Sequence, residues 1–404
     1  MLISHKTTLT VMKQALVALA KFVEAPIPDE MNLASNEAIT KAKSLLNWTE
    51  DSTIQELSLL FDRIQLREKN TKKHYVKPQA LSNHSPSIPY PIADFPDFSS
   101  FKAEIKNAIE SLSITDWENL SLLSIFLEKY GSFVSFTAED ISFWDLVKST
   151  SAVAATLAKN ESSDTLCLIA GDLSGIQNFI YTISSDGALR SLRARSFYLE
   201  LVTEEITQQL LEQLELPHSC VIYVGGGNLY LLAPDNEKTT KIVETVRQDL
   251  NQWLLKAFQG KVFLTLAGHS FPIQDIQNQK FANHWQNLVQ TLAEQKSRKF
   301  SNQIEQFLGI RESYQPCQVC HRDDVEKLQP LNDYETDSVM ACHTCHEMLN
   351  LGTQLFRVKR IARSHLEANS TRSRNPNHQE AVYSLKIELS TQTIYYHLLG
   401  EDQP

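Results

Sequence analysis

The order of strands and helices predicted for residues 165–268 is the feature that most restricts the fold of this chain. Short apolar runs predict strands at TLCLIAGD, CVIYVGG, NLYLLAP and KVFLTLAG. Apolar residues at helical spacing predict helices at SGIQNFIYTI, RARSFYLELVTEEITQQLLEQL and EKTTKIVETVRQDLNQWLLKAF. The predicted order is therefore βαββαβ.

This order is that of a ferredoxin-like fold, which is also the arrangement of polymerase and nucleotidyl cyclase palm domains. In a catalytic palm, carboxylates at the end of the first strand and in the turn between the second and third strands hold two metal ions near a nucleoside triphosphate. Here Asp172 ends the first strand, but the turn reads Gly225-Gly226-Gly227-Asn228 and has no acid. We expect an α+β protein whose palm binds without catalysing.

Ser174 and the turn glycines each have a functional and a purely structural interpretation. A helix is predicted to open at Ser174, where backbone N–H groups and the helix dipole favour a phosphate. The alternative is that Ser174 only caps the helix. The glycines leave bare backbone that a base or phosphate can approach, or they only form a hairpin turn.

Four of the cysteines form two Cys-x-x-Cys pairs, Cys317 with Cys320 and Cys342 with Cys345. This spacing is typical of a tetrahedral zinc site. Four cysteines leave no ligand position open, so the predicted site is structural. Two disulfides are the alternative, which the lack of a secretory signal disfavours. Cys167 and Cys220 lie in apolar strands and are predicted to be buried, inert thiols.

Charge and hydropathy restrict the class of protein. The formal net charge of -10 argues against a protein that coats nucleic acid by itself. The amino terminus carries lysines among periodic apolar residues, which predicts an amphipathic helix rather than a signal peptide. No apolar run approaches the roughly 20 residues of a membrane span. We expect a cytoplasmic protein without membrane contact.

Several segments of the sequence resemble those of a known family. GDLSGIQNFIYTISSDGALRSLRARSFYLELVTEEI, YVGGGNLYLLAP and the CQVC and CHTC pairs, in this order and at these intervals, are similar to the large subunit of type III-A CRISPR effector complexes, the Csm-type polymerase/cyclase-like protein. WDLVKSTSAVAATLAKN, KAKSLLNW and KPQALS extend the resemblance. It implies a multisubunit complex on CRISPR RNA that detects target RNA, makes cyclic oligoadenylate from ATP and cleaves single-stranded DNA.

Two family motifs are missing. No His-Asp dipeptide occurs, so the HD nuclease cluster and its DNA cleavage are expected to be absent. No Gly-Gly-Asp-Asp turn occurs either, so the chain is expected to be an amino-terminal portion that lacks the catalytic palm. ATP with Mg is then expected only in combination with a second palm-bearing polypeptide. Whether the chain is an enzyme stays open, and a non-enzymatic scaffold that binds partner subunits and RNA is the alternative.

The resemblance also assigns residues and domains. The nucleotide-contacting face would comprise Asp172, Ser174, Gly175, Gly225, Gly226, Gly227 and Asn228, with Arg190, Arg193 and Arg195 as further candidates. A basic strip of Arg357, Lys359, Arg360, Arg363, Arg372 and Arg374 is expected to bind RNA or an acidic partner, or to be a solvated helix followed by a loose linker. The expected division is a helical, shortened HD-like domain at 1–75, a Pro-rich linker at 76–99, helices and the first palm at 100–270, a helical zinc-binding module at 271–365, and a linker with the start of the next domain at 366–404.

Overall fold

The computed structural model describes residues 2–28, 31, 33–49, 51–63, 73–82, 90–160, 164–185, 187–278, 280–301, 304–309, 312–332, 336–366, 383–389 and 392–400. The protein is a mixture of helices and sheets that share one large hydrophobic core. That core joins the amino-terminal helices, the central sheet and part of the carboxy-terminal segment.

The amino-terminal region is helical. Its helices are α1 (Ile3–Val23), α2 (Glu37–Leu45), α3 (Ser99–Glu110), α4 (Ile114–Trp117), α5 (Leu120–Gly131) and α6 (Phe143–Leu157). Helix α6 packs against α1 and α2, and its Ala152, Ala154 and Ala155 are buried. These small side chains allow α6 to approach its neighbouring helices closely.

Part of the region 1–75, which is expected to be helical, is not a helix. TIQELSLLFDRI has apolar residues at helical spacing, yet its described residues before the single 3₁₀ turn at Leu60–Arg63 are extended. Gln55 pairs with Ser135, and Ser58 pairs with Tyr75. The backbone groups of this segment therefore bond to distant partners, which replace the i to i+4 bonds of a helix. Ile54 and Leu57 are buried, so the apolar spacing reflects packing of an extended chain.

The central sheet follows the predicted order of elements. These are β1 (Thr165–Ser174), α7 (Ile176–Ile180), α8 (Ala188–Leu214), β2 (Val221–Gly225), β3 (Asn228–Pro234), α9 (Glu237–Phe258) and β4 (Phe263–Pro272). The strands lie in the order β2-β3-β1-β4, and every neighbouring pair is antiparallel. In this register Asp172 lies opposite both Asn228 and Thr265.

Helix α10 (Phe281–Ser297) packs on β1 and β4. Its Trp285 stacks on Tyr230 of β3, with ring centroids 4.0 Å apart. Strand β4 is an edge strand of this sheet, and two side-chain amides form hydrogen bonds with its backbone. Asn251 of α9 bonds to both the N–H and the C=O of Leu264, and Gln295 of α10 does the same for Leu266.

The remaining elements are α11 (Ile304–Leu308), the short pair β5 (Gln329–Pro330) and β6 (Met340–Ala341), helix α12 (His343–Gln354), and strands β7 (Arg360–Ser364), β8 (Tyr383–Glu388) and β9 (Thr393–Leu399). Helix α12 packs closely on α8 at Gly352. A Cβ at this position would lie 2.1 Å from the carbonyl oxygen of Arg190, so only glycine fits there. Strand β7 pairs with β9 in a sheet ordered β7-β9-β8. Paired strands thus lie on both sides of the domain boundary predicted at residue 365.

Candidate nucleotide-binding edge and cysteine cluster

The residues predicted to contact a nucleotide lie together at one edge of the central sheet. The antiparallel register places the end of β1 beside the β2–β3 turn on one side and beside the start of β4 on the other. The N–H of Leu173 donates to the carbonyl oxygen of Gly227 at 2.8 Å. We call the group Asp172, Ser174, Gly175, Gly225, Gly226, Gly227 and Asn228 the candidate edge.

Ser174 does not cap a helix, so the prediction of a helix opening there is wrong. It is the last residue of β1, lies opposite Phe263, and its hydroxyl donates to the Phe263 carbonyl oxygen at 3.3 Å. Helix α7 begins two residues later, with Gly175 as N-cap at a φ of 89°. A Cβ at Gly175 would lie 1.9 Å from the carbonyl oxygen of Lys261, so glycine is required there for both space and conformation.

The two central residues of the hairpin turn, Gly226 and Gly227, have φ values of 60° and 82°. Positive φ at both positions is typical of a type I′ turn between two strands. A Cβ at Gly227 would lie 2.1 Å from the Ile176 side chain, whereas a Cβ at Gly226 would have no neighbouring atom within 4 Å. Gly227 is therefore needed for packing, and Gly226 borders open space.

Two charged residues that the sequence analysis missed contact the candidate edge. Glu200 of α8 accepts a hydrogen bond from the N–H of Gly226 at 2.9 Å. Lys296 of α10 lies 2.9 Å from the carboxylate of Asp172, with exposed side-chain fractions of 39% and 23% respectively. Lys296 is the second-to-last residue of α10, and the sequence of this helix does not reveal its position on the sheet. No local pattern links Glu200 to the turn.

The four predicted metal ligands form a buried cluster, which we call the cysteine quartet: Cys317, Cys320, Cys342 and Cys345. Their sulfur atoms all lie within 4.8 Å of one another. Two of the separations are 3.9 Å for Cys317 to Cys345 and 3.6 Å for Cys320 to Cys342. A tetrahedral ion with metal–sulfur bonds of about 2.3 Å separates its sulfurs by about 3.8 Å. The donor set and spacing fit such an ion, and all four thiols are free of disulfide bonds.

Cys167 and Cys220 provide the contrast within the same chain. Burial raises the pKa of both thiols to about 12. They stay protonated at neutral pH and are unsuited to reaction or metal binding. The inert role that the sequence predicts for them agrees with this environment.

The three arginines predicted as further nucleotide contacts lie in the amino-terminal part of α8. Arg195 is 2% exposed, and its Nη2 lies 3.2 Å from the Sγ of Cys345. Arg193 is exposed, and its guanidinium lies 4.1 Å from the ring centre of Phe356. Arg190 is exposed and contributes its backbone to the contact with α12.

The predicted basic strip contains both exposed residues and one residue that forms ion pairs. Arg357, Lys359 and Arg360 are exposed, whereas Arg363 lies 2.6 Å from Glu205 and 2.6 Å from Glu212. Hydrogen bonding to Glu205 raises the pKa of Arg363 above its ordinary value. The described part of the strip ends in strand β7, so the solvated helix considered as an alternative is wrong. Arg372 and Arg374 lie outside the described residues.

Glu205 is the centre of this arrangement. Its side chain is 1% exposed and accepts hydrogen bonds from Arg363, from the Tyr396 hydroxyl at 2.7 Å and from Gln209 at 2.6 Å. Burial together with the neighbouring Glu205 carboxylate raises the pKa of Tyr396 above its ordinary range. A buried carboxylate with several partners thus fastens the β7-β9-β8 sheet to α8.

Three histidines, His5, His74 and His84, precede the predicted palm, and none is followed by an Asp. The structure brings His74 to Asp62, with the imidazole Nδ1 3.0 Å from a carboxylate oxygen, although the two are not adjacent in sequence. His5 lies on α1, and His84 is outside the described residues. Within the part of the chain that is described, only the cysteine quartet brings three or more potential metal ligands together.

Comparison with known proteins identifies relatives of this chain. Residues 165–313 match the family model described as Csm1 subunit domain B. A CRISPR system single-strand-specific deoxyribonuclease Cas10/Csm1 (subtype III-A) from Enterococcus italicus is 33% identical over 196 residues, which is 48% of this chain and 25% of the relative. The protein of the same name from Streptococcus thermophilus is 28% identical over 321 residues, or 70% of this chain and 41% of the relative. The matches therefore span less than half the length of these curated relatives.

Solved structures agree in fold. A Csm1-Csm4 subcomplex of the type III-A CRISPR-Csm interference complex matches with a TM-score of 0.70 and 19% identity, over 100% of this chain and 56% of that chain. A Csm1-Csm4 cassette in complex with one ATP matches with a TM-score of 0.64 and 21% identity, over 91% of this chain and 44% of that chain. No helix among the described residues is long and apolar enough to span a membrane. The resemblance predicted from the sequence is confirmed: the chain is similar to part of the Cas10/Csm1-type large subunit of subtype III-A.

Proposed function

We propose that β1 to β4 with helices α7 to α9 form a ferredoxin-like, non-catalytic palm of a type III CRISPR effector complex. The candidate edge binds ATP, and cyclic oligoadenylate is made only together with a second palm that carries the Gly-Gly-Asp-Asp turn. Other subunits of the complex, CRISPR RNA and target RNA are the partners of the assembly. The antiparallel β2-β3-β1-β4 order supports the ferredoxin-like assignment.

The observation that carries this proposal is the composition of the candidate edge. Asp172 and an acid-free glycine turn lie side by side, and Lys296 pairs with Asp172. Two-metal catalysis needs several carboxylates that hold two ions about 3.5–4 Å apart. The edge offers open space beside Gly226, but both carboxylates that lie there already have partners, Asp172 with Lys296 and Glu200 with the Gly226 N–H. Its geometry suits binding of a nucleotide that a partner domain activates.

The cysteine quartet is proposed to hold one structural zinc ion. Four cysteine sulfurs at tetrahedral spacing complete the coordination, so the ion supplies folding energy and no open position for a substrate. The quartet would fix the knuckles 317–320 and 342–345 and the start of α12.

A scaffold role without nucleotide chemistry is the second candidate function. Arg357, Lys359 and Arg360 are exposed and close in sequence, which favours contact with RNA phosphates or with an acidic subunit. The relative solved as a Csm1-Csm4 subcomplex has a protein partner. In this alternative the chain would bind RNA and subunits but not ATP.

Gly226→Asn in the chain assembled with a Gly-Gly-Asp-Asp palm and target RNA separates the two functions. Asn-Gly is a favoured type I′ pair, so the melting temperature should not change. The new side chain enters the open space at the turn, and we expect ATP affinity and cyclic product to fall by about tenfold, equivalent to about 1.4 kcal/mol. Titration with ATP and chromatography of the products provide the measurements.

Glu24→Asn is the matched control, because Glu24 also has a left-handed φ of 55° and is exposed on a different element. It should leave ATP binding unchanged. Equal ATP affinity in a folded Gly226→Asn assembly would mean that the glycines only form a turn. Cyclic product from the chain alone, with ATP and magnesium, would contradict the non-catalytic assignment.

A further inference from the structure

We infer that Arg195 is the counterion of the metal-loaded cysteine quartet and that this charge pair holds α8 against α12 and the zinc knuckles. The inference rests on the proposed zinc ion and adds a residue outside the ligand set. Arg195 is among the largest fully buried side chains of the described structure. A buried guanidinium is always charged and requires a partner that offsets its lost hydration.

The contacts of Arg195 identify that partner. Nη1 donates to the carbonyl oxygen of Phe179 at 3.2 Å, and Nη2 lies 3.2 Å from the Sγ of Cys345. The guanidinium also lies 4.8 Å from the centre of the Phe179 ring. Within the described residues no carboxylate forms an ion pair with Arg195. Of its contacts, only the cysteine sulfur can carry a full negative charge.

The charge of the loaded quartet complements this arginine. A cysteine binds zinc as the thiolate, so four thiolates and one Zn²⁺ leave a net charge of about −2. All four cysteines are buried, and this charge is therefore costly without nearby cations. Backbone N–H groups of Cys320 and Cys342 donate to the Cys317 sulfur at 3.4 and 3.3 Å. Arg195 adds a full positive charge on the Cys345 side of the cluster.

The other cations beside the quartet are bonded to other groups. Arg322 forms two hydrogen bonds with the Asp324 carboxylate, at 2.7 and 3.0 Å. Lys261 donates to the backbone carbonyl of Cys320. Arg195 is the cation whose described hydrogen bonds include a ligand sulfur. It alone among these residues lies on α8, so it is the one that links this helix to the metal.

The same helix continues to the candidate edge. Gly352 of α12 fits against the backbone of Arg190, and Glu200 of α8 bonds to the turn at Gly226. Residues of α8 therefore contact α12, the quartet and the hairpin within a few turns. Loss of the Arg195 contact would release the first part of α8 from the knuckles while its later residues stay packed on the sheet.

Arg195→Met tests the charge while keeping an unbranched side chain of similar length. Groups that hydrogen-bond to metal ligands typically contribute 10–100-fold to metal affinity. In the full chain we expect Arg195→Met to bind zinc at least about tenfold more weakly in competition with a chromogenic chelator, and Arg195→Lys to recover part of the loss. Arg193→Met is the matched control on the same helix and should leave zinc affinity unchanged, because Arg193 is exposed and contacts Phe356.

Thermal unfolding with and without zinc distinguishes a counterion from a packing residue. Zinc-loaded Arg195→Met should melt at a lower temperature than the loaded parent chain. In the zinc-free proteins the charge of the metal–thiolate cluster is absent, so Arg195→Met should lower the melting temperature less than it does in the zinc-loaded proteins. Equal destabilisation in both states would show that Arg195 only packs, and unchanged zinc affinity of Arg195→Met would equally overturn the inference.

The two proposals fail in different ways. A parent chain purified without chelator that contains no zinc would contradict the proposed metal. A zinc-loaded parent whose affinity does not depend on Arg195 would contradict only the counterion. If Arg195→Met does not fold, the zinc affinity of Arg195→Gln relative to Arg193→Gln decides instead. A deficit confined to Arg195→Gln supports the inference, because Gln keeps a hydrogen-bond donor but carries no charge, and equal affinities of the two variants overturn it.

Discussion

The cysteine quartet and the candidate edge differ in how much of a working site this chain supplies. All four ligands of the quartet are buried at metal-binding distances, and a buried arginine contacts one of them. At the candidate edge, Lys296 pairs with Asp172 and Glu200 occupies the Gly226 N–H. The comparison teaches that one donor set is complete within the fold, whereas the charged groups at the candidate edge are paired with each other or with backbone, which is why we propose that another domain supplies the chemistry there.

The strongest test of this comparison is to remove one ligand of the quartet. Cys342→Ser should reduce the zinc content from about one ion per chain to near zero, because structural metal binding is coupled to local folding. Hydrogen exchange should rise at 312–354 and change little at the candidate edge. Elemental analysis and exchange mass spectrometry measure the two effects, and Cys167→Ala is the control that should keep the metal. Full zinc occupancy in Cys342→Ser would show that the quartet is not the binding site.

A second test compares buried and exposed positions within the basic strip. Arg363→Ala would leave the buried Glu205 without its cation, so we expect the free energy of unfolding to fall by about 3–5 kcal/mol. Arg360→Ala, three residues earlier on β7 and exposed, should change stability by less than about 0.5 kcal/mol. Denaturant titration measures both. Equal stability of the two variants would mean that Glu205 is solvated in solution.

The smallest expected effect concerns the charge at the hairpin turn. Glu200→Gln keeps an oxygen that can accept from Gly226 but removes a negative charge, so ATP should bind about two- to fivefold more tightly at low salt. Glu204→Gln, one turn further along α8, is the control. The gain should shrink as ionic strength rises. If Glu200→Gln has no effect, the ATP phosphates lie away from the turn.

Local patterns predicted the parts of the molecule that local chemistry determines. The ligand spacing in CQVC and CHTC was sufficient to choose Cys317, Cys320, Cys342 and Cys345 from six cysteines. Helix α9 has the bounds expected from its apolar periodicity, because Asn236 caps it and accepts from the N–H of Thr239. The strands flanking the glycine turn were also correctly located.

Contacts between distant residues account for the errors. Ser174 was predicted to cap a helix, but pairing with Phe263 on β4 extends the strand through it. Gln55 lies in an extended segment because its partner is Ser135, far along the sequence. The sequence predicts Arg195 as a candidate nucleotide contact and Arg363 as part of an RNA- or partner-binding strip, and their observed partners, Cys345 and Glu205, are identifiable only in three dimensions.

The side-chain amides on β4 have a consequence for how this protein can associate. A strand at the end of a sheet exposes unpaired backbone groups that can template aggregation or recruit a strand from another chain. Asn251 and Gln295 already bond to the backbone of Leu264 and Leu266, as a neighbouring strand would. Along Leu264–Leu266 an added strand would have to displace these amides, so we expect a subunit that docks on this part of β4 to contact side chains rather than to extend the sheet.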